Sequence, residues 1–281
     1  AAKCHTRRNK FGRALKYYHA VLTHFNQFVE DQFDFHAYCL RRTSINAYMD
    51  LLKVEDSMYA RDEFRAAAKG AVMLYVNLFD EPPAEKAAAL EAKIAAMSAD
   101  EAQKFREQIQ ATKEREEKEE RARLAALEEA KKVAAAQESK NKSPKEDTKK
   151  EDPDPYGDAY ENGAEPLEQA MKFVEPLQMH AAQYEETHLL AFEVFIRQGK
   201  PILALKAVNE ALKINSESYQ AKANVARLAH VVETMDEANA MKKVMAMQVG
   251  KLTENKSPAA FLDTLDSQTS PVSAAAVALA K

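Results

Sequence analysis

The stretch that decides the fold is residues 188–212, HLLAFEVFIRQGKPILALKAVNEAL. On each side of Gly199, apolar residues recur at steps of three and four, which places them on one face of a helix. Gly199 lies where the chain must turn sharply, because glycine adopts backbone conformations that other residues avoid. The pattern therefore predicts two helices joined by a tight turn, whose packing faces carry Ala191, Phe192, Phe195, Ala204, Val208 and Ala211.

The spacing of this hairpin resembles a tetratricopeptide repeat, in which two helices pack closely because small residues lie where they cross. Ala204 and Ala211 supply such small side chains. Two residues depart from the repeat pattern: Phe192 stands where a Gly or Ala is usual, and Ser216 where a Pro ends the repeat. Residues 9–21 give a second, partial match. We therefore expect a tetratricopeptide-like superhelix of degenerate helical hairpins.

The composition of the whole chain also indicates an all-α protein. Residues that favour helices are abundant among the 281 positions, whereas there are six Gly and no Trp. The 40 basic and 44 acidic residues nearly balance, so the total charge does not indicate a nucleic acid or a membrane as partner. Cys4 and Cys39 form no CxxC pair, which predicts a reducing compartment. No apolar run approaches the length of a membrane span.

Changes in composition along the chain predict five regions. Residues 1–82 and 166–255 form helical-repeat segments, and 83–140 form a long charged helical insertion between them. Residues 141–165 lose their apolar residues and gain Pro and Gly, which predicts a disordered linker, and 256–281 form a tail. The chain opens inside a helical pattern and without Met, so we expect a segment of a longer protein.

The charged insertion is predicted to be a solvent-exposed helix. Ser98 followed by Glu101 fits a capping box, in which two side chains satisfy the first backbone N–H groups of a helix. The alternative, a coiled coil, needs a sustained heptad of apolar residues, and Leu124 and Leu127 are too few. From Lys113 to Glu151 there are twelve basic and eleven acidic residues, so no net positive stripe for RNA emerges.

Two longer stretches resemble the large auxiliary subunit of the N-terminal acetyltransferase A complex. The first is DQFDFHAYCLRR at residues 31–42, which continues into AYMDLLKVED at 47–56. The second is PLEQAMKFVEPL at residues 166–177, followed by ETHLLAFE at 186–193. Their order agrees with that family, as does the charged insertion between them, and with their flanks they cover residues 9–80 and 165–215 of its carboxyl-terminal part.

This resemblance implies a non-catalytic role. Auxiliary subunits of that family wrap the catalytic acetyltransferase subunit, which binds acetyl-CoA, in a helical superstructure. They also dock the complex at the ribosome, on protein and rRNA near the exit tunnel, so that nascent chains are acetylated during translation. The resemblance thus implies a cytoplasmic, ribosome-associated protein. It further implies a small Huntingtin-interacting regulatory protein as a partner and inositol hexakisphosphate as a structural ligand.

The chain itself lacks the sequence features of an acetyltransferase. Such an enzyme needs a Gly-rich loop whose backbone N–H groups hold the pyrophosphate of coenzyme A. The six glycines form no such cluster, and the seven histidines show no metal-ligand spacing, so we predict no catalytic, cofactor or metal site. His188, on the packing face of the hairpin, is interpreted as structural or surface. His36, among aromatic residues, is interpreted as a core histidine, with a partner contact as the alternative. Two alternatives stay open: a tetratricopeptide-type adaptor for another assembly, such as a co-chaperone or a translation-associated scaffold, and an enzyme.

Four basic residues are the candidate inositol-phosphate site. By resemblance, Arg41, Arg42 and Lys53 lie in the segment that carries the basic inositol-phosphate surface of the family, and Arg61 is a further candidate. A highly phosphorylated ligand requires several Lys or Arg side chains converging from neighbouring helices. The alternative is a charged face that contacts only solvent.

Overall fold

A computed structural model of the chain describes residues 1–30, 32–98, 101–112, 154–235 and 240–268, with a few single positions between 114 and 129. Every regular element within these ranges is a helix, and none is a strand. The all-α prediction is therefore confirmed. The chain divides into two compact units, of which the first comprises Ala1–Asp80 with Tyr156–Lys281 and the second Glu81–Pro155.

The first unit begins with the helices that precede the insertion. Their bounds are α1 Ala2–Arg7, α2 Phe11–Glu30, α3 Gln32–Arg42, α4 Ile45–Asp56, a 3₁₀ turn at Met58–Ala60 and α5 Asp62–Asp80. After the insertion the same unit continues with α8 Asp158–Glu161, α9 Pro166–His180, α10 Glu185–Arg197, α11 Pro201–Ile214, α12 Tyr219–Thr234, α13 Ala240–Leu252 and α14 Pro258–Gln268. The second unit contains α6 Pro83–Ala95 and α7, residues 101–112.

Local sequence explains where the helices begin. Pro166 and Pro201 each occupy the first position of a helix, where the missing N–H group has no intrahelical partner to lose. Ser44 and Ser218 are N-caps whose hydroxyls accept hydrogen bonds from Ala47 N and Ala221 N, at 3.4 and 3.2 Å. Gly199 has a φ of +65°, as the tight turn between α10 and α11 requires.

The core of the first unit is shared by helices from both sides of the insertion. Helix α5 packs against α2, α9 and α10. Phe64 and Val72 of α5 are fully buried, as are Leu15 of α2 and Phe173 of α9. Because these side chains form one continuous cluster, the two sequence segments fold as one body and stabilise each other by burying apolar surface.

The two helices of the predicted hairpin pack against each other through small side chains. Helices α10 and α11 lie against each other, with Ala204, Ala207 and Ala211 at 0, 3 and 0 % exposure. Phe192, the departure from the repeat pattern, is fully buried with the guanidinium of Arg227 on α12 5.4 Å from its ring centroid. The neighbouring helix therefore accommodates the larger side chain.

The second unit contains the predicted capping box in part. Glu101 Oε2 accepts hydrogen bonds from Ser98 N at 3.4 Å and from Ser98 Oγ at 2.7 Å. Ile94 is the buried apolar side chain of α6. Leu124 and Leu127 lie outside the described residues, as does most of the segment from Lys113 to Glu151, so the exposed charged helix stays a prediction there.

The structure differs from the predicted regions at two places. Within 141–165, residues 154–165 are described and contain α8, which packs against α2, because Tyr156 and Tyr160 supply aromatic contacts that composition did not reveal. Within 256–281, helix α14 packs against α12 and buries Phe261 and Leu265, spaced four apart. Residues 141–153 and 269–281 lie outside the described part, and the predicted linker and tail stay predictions there.

Candidate ligand and partner surface

The predicted basic residues lie on or beside the hairpin formed by α3 and α4. The side chain of His36 links these helices: its Nδ1 lies 2.9 Å from Tyr48 Oη, and its Nε2 lies 3.9 Å from Glu55 Oε2. His36 is half-buried rather than in the core as predicted, and these two contacts hold α3 against α4. His188 is also structural, since it is buried with its Nε2 2.8 Å from the carbonyl oxygen of Ala182.

A cavity of 380 Å³ opens between this hairpin and α2. Its walls are largely apolar, and its charged side chains are Glu55, Arg61 and Glu63. Arg61 Nε lies 4.0 Å from Glu63 Oε2, and both side chains are more than half exposed. Apolar walls with a few charged groups are typical of a ligand cavity. The lining comprises His24, Phe25, Phe35, Leu51, Val54, Glu55, Met58, Arg61 and Glu63.

The structure brings one of the four predicted site residues to this cavity. Arg61 lines it, and Arg41, Arg42 and Lys53 are not among the lining residues. Arg41 and Arg42 are exposed in the last turn of α3, and Lys53 is exposed in the last turn of α4, where cations interact favourably with the helix dipole. Convergence of the four residues on one ligand stays a prediction.

Carboxylates compete for two of these cations. Lys53 Nζ lies 3.0 Å from Asp50 Oδ1, in a pair whose side chains are about three-quarters exposed. Arg61 is close to Glu63, as described above. Exposed ion pairs of this kind contribute little to stability, so a phosphate of higher charge could displace the carboxylates.

The same hairpin exposes large apolar side chains. Helix α4 has no fully buried residue, and Cys39 is the buried residue among the described positions of α3. Tyr38, Leu40, Ile45 and Met49 are between 50 and 75 % exposed. Exposed apolar side chains concentrated on two neighbouring helices mark a surface suited to a protein partner.

A half-buried ion network, not predicted from the sequence, joins three helices. Glu193 of α10 accepts hydrogen bonds from Arg197 Nη1 on the same helix and from Arg227 Nη1 on α12, both at 2.5 Å. Arg197 also donates to both carboxylate oxygens of Asp80 at the end of α5, at 2.8 and 2.7 Å. The four-residue spacing of Glu193 and Arg197 was visible in the sequence, but their partners on other helices were not.

The charge of Glu193 is stabilised by these arginines. Burial alone would raise the pKa of the Glu193 carboxyl, but the hydrogen bonds and charges of Arg227 and Arg197 outweigh it and hold the pKa below its ordinary value. The carboxylate therefore stays ionised at neutral pH and fixes the positions of α10 and α12 relative to each other. Its role here is structural.

A second missed feature is the strap, defined as Tyr156–Glu161, which contacts the amino-terminal turns of α2. Gly12 N donates to Glu161 Oε2 at 2.8 Å, and the Arg13 guanidinium lies 4.4 Å from the Tyr156 ring centroid. The ring of Tyr160 stacks on His19 at 4.5 Å. The strap fixes the point where the chain returns from the second unit to the core of the first.

His19 lies at the centre of this contact. Its Nε2 is 2.5 Å from Tyr75 Oη, and its ring meets Phe173 edge to face at 5.0 Å. Burial, and to a smaller extent the charge of Lys172, lower the pKa of His19 to about 4. The imidazole is therefore neutral at physiological pH and acts as a packing and hydrogen-bonding group.

The described residues contain no group of three or more His, Cys, Asp or Glu side chains placed to hold a metal ion. No helix in the same ranges is long and apolar enough to cross a membrane.

Comparison with known proteins matches the chain to one family. The family model described as "N-terminal acetyltransferase A, auxiliary subunit" matches residues 1–211. The N-terminal acetyltransferase A complex auxiliary subunit NAA15 of Arabidopsis thaliana is 35 % identical over 212 residues, which are 75 % of this chain and 22 % of that protein. Human N-alpha-acetyltransferase 16, NatA auxiliary subunit, is 42 % identical over 219 residues, or 75 % of this chain and 24 % of that protein.

A solved structure shares the fold. The structure of Naa15/Naa10 bound to HypK-THB contains a chain that matches with a TM-score of 0.59 and 23 % identity, covering 89 % of this chain and 28 % of that one. The chain thus spans about a quarter of the length of the relatives it matches.

Proposed function

Because the chain belongs to the family of N-terminal acetyltransferase A auxiliary subunits, we propose that it is a scaffold segment that holds the catalytic acetyltransferase subunit. The observation that carries this proposal is the family match over residues 1–211. The exposed apolar side chains of α3 and α4 support it, since a helical scaffold needs such a surface to bury against a partner. In this proposal acetyl-CoA binds the partner, and this chain has no catalytic residue.

The assembly is proposed to act at the ribosome. A cytoplasmic scaffold docked near the exit tunnel would present nascent chains to the catalytic subunit for acetylation during translation. A HypK-type regulatory partner belongs to the same proposal, since the structural relative was solved with HypK-THB bound. The adaptor alternative, a co-chaperone or another translation-associated scaffold, requires the same helical fold but a different bound protein.

The proposed structural ligand is inositol hexakisphosphate. Arg41, Arg42, Lys53 and Arg61 would bind its phosphates, and the arginines would make forked contacts. Asp50 and Glu63, close to two of these cations, are the carboxylates that the ligand would displace. A ligand bound between basic helices and a partner would increase the affinity of the scaffold for the catalytic subunit.

Co-purification tests the scaffold. The full-length protein that contains this segment is isolated from cells, and we expect an acetyltransferase subunit to be recovered with it. A double variant, Ile45→Asp with Met49→Asp, should reduce that recovery, because both side chains are exposed in this chain and lie on the surface proposed for the partner. Met179→Asp is the matched control, since Met179 of α9 is 77 % exposed. Recovery of a different partner without acetyltransferase would establish the adaptor alternative.

Direct binding tests the ligand. In calorimetric titrations with inositol hexakisphosphate, a triple variant with Arg41, Arg42 and Lys53 changed to Glu should bind at least about tenfold more weakly, since charge-assisted contacts are lost. Lys93→Glu, Lys104→Glu and Arg106→Glu together, at three exposed positions of the second unit, are the control for the same change in total charge. Equal affinity of the triple variant and the control would show that Arg41, Arg42 and Lys53 do not bind the ligand. Acetyl-CoA turnover by this chain alone would contradict the non-catalytic role.

A further inference from the structure

An apolar groove runs between α11 and α13. It encloses 580 Å³, and its apolar lining residues are Ile202, Leu205, Leu212 and Leu252. The lining residues that α11 contributes, apolar and polar together, recur at steps of three or four between Ile202 and Lys213, a distance of about 16 Å along the helix. Ile202 is 51 % exposed, so the groove presents apolar surface to solvent.

Exposed apolar side chains continue beyond the groove along the outer face of α13. Val244 and Met247 are 59 and 56 % exposed, whereas Met245 and Val249 of the same helix are buried in the core. Helix α13 is therefore apolar on two faces, although the described part of the chain covers the one that carries Met245 and Val249. Methionine is common on surfaces that adapt to a partner, because its side chain is flexible and polarisable.

The charges around the groove have predominantly one sign. Helices α11 and α13 together carry five Lys and one Glu. Lys206 and Lys213 line the groove, and Lys243 and Lys251 are exposed on α13. The single acid, Glu210, is paired with Lys213 through a 2.6 Å contact. A partner that fits this surface therefore carries negative charge around an apolar face.

We propose that the groove between α11 and α13 binds an amphipathic helix of a partner protein, with apolar residues at steps of three and four on one face and Glu or Asp on the flanks. Such a helix buries its apolar stripe between Ile202, Leu205 and Leu252, and its carboxylates reach Lys206 and Lys213. RNA fits less well, because the groove offers lysines but no arginine and its floor is apolar. The inference goes beyond the proposed function, since it rests on α11 and α13 alone.

The probe is a fluorescein-labelled peptide of about 18 residues, long enough to form a helix, with Leu on one face and Glu on the other. A second peptide has Lys in place of Glu. In anisotropy titrations of the full chain, the acidic peptide should bind saturably and at least about tenfold more tightly than the basic one. Its affinity should fall as salt is raised, because exposed charges are screened. Equal affinity for both peptides would overturn the proposal.

Two variants locate the binding. Ile202→Asp places a charge on the exposed apolar wall, and Lys206→Glu reverses a charge beside it. Each variant should lower the affinity for the acidic peptide by about tenfold or more, which corresponds to the loss of one buried side chain or one close charge pair. Met179→Asp is the matched control for a charge at an exposed apolar position, and it should leave the affinity unchanged. Unaltered binding by both groove variants would refute the assignment.

Other occupants give different results. A single-stranded RNA that competes with the peptide, and whose binding depends on Lys206 but not on Ile202, would assign the face to a phosphate backbone. A dimer that forms with rising concentration in sedimentation and is abolished by Ile202→Asp would assign the groove to a second copy of the chain. Either result would overturn the proposal.

Discussion

Replacement of Gly157 by Ala is expected to detach the strap from α2. Gly157 has a φ of +76°, a conformation that L residues adopt at a cost of about 1–2 kcal/mol. An added Cβ would also lie 2.1 Å from the carbonyl oxygen of Gly12, a backbone atom that cannot rotate away. The strap must therefore move, and its contacts with α2 are lost.

The contacts set the magnitude of the effect. The hydrogen bond from Gly12 N to the Glu161 carboxylate contributes about 1.5–3 kcal/mol, the stacking of Tyr160 on His19 about 0.5–1.5 kcal/mol, and the contact of Arg13 with the Tyr156 ring about 0.5–1 kcal/mol. Since these contacts are neighbours and not additive, we expect a loss of about 2–5 kcal/mol in the free energy of unfolding.

Urea unfolding and amide hydrogen exchange measure this effect. The free energy of unfolding should fall by the amount above, and exchange should accelerate at residues 156–161 before it does elsewhere in the first unit. Gly163→Ala is the matched control, because Gly163 lies outside the positive-φ region and its added Cβ would meet no atom closer than 3.4 Å. If Gly157→Ala changes stability by no more than this control and leaves exchange at 156–161 unaltered, the assigned role of the strap is wrong.

Three further predictions concern the first unit. Glu193→Gln removes the carboxylate that Arg227 contacts and leaves Arg197 with Asp80, so it should lower the free energy of unfolding by about 2–4 kcal/mol. Lys53→Ala, at an exposed pair, should change it by less than about 0.5 kcal/mol, and equal effects of the two variants in urea unfolding would contradict the network. The pKa of His19 in the folded protein, about 4, lies below its ordinary 6.5, so its contribution to stability is retained above pH 6.5 and is lost as the pH falls toward 4. In His19→Gln the urea midpoint should therefore depend less on pH over this interval. An unchanged pH dependence would exclude His19 as the titrating group. After cleavage at a protease site engineered into residues 141–145, both halves should elute together in size-exclusion chromatography, because they share one core. Separate elution of the two halves would contradict the shared core.

Part of the fold follows from local sequence. The steps of three and four on each side of Gly199 predicted two helices that the structure contains. These features are local, because the periodicity that exposes one face of a helix and the residue that ends it lie within a few turns of each other. The resemblance over residues 31–56 and 166–193 predicted the family, which the comparisons confirmed.

The candidate site was predictable only as a set of residue types. Arg41, Arg42 and Lys53 were identified by resemblance, and their positions at the ends of α3 and α4 follow from the helix bounds. The cavity beside Arg61 was not predicted, because its walls come from four different helices and a 3₁₀ turn. Similarly, Phe192 departed from the repeat pattern, and only the placement of α12 explains why it fits.

The sequence by itself determined that the chain is helical, that its helices form hairpins, and which family it belongs to, since periodicity, turn residues and motifs are carried by neighbouring positions. The tertiary structure alone decided that Tyr156–Glu161 forms a strap and that the ion network around Glu193 and Arg197 joins three helices. Glu161 lies 149 positions from Gly12, and Glu193 lies 34 positions from Arg227. Contacts over such separations depend on how the helices pack, and packing is set by the shape and burial of the whole core rather than by any one segment.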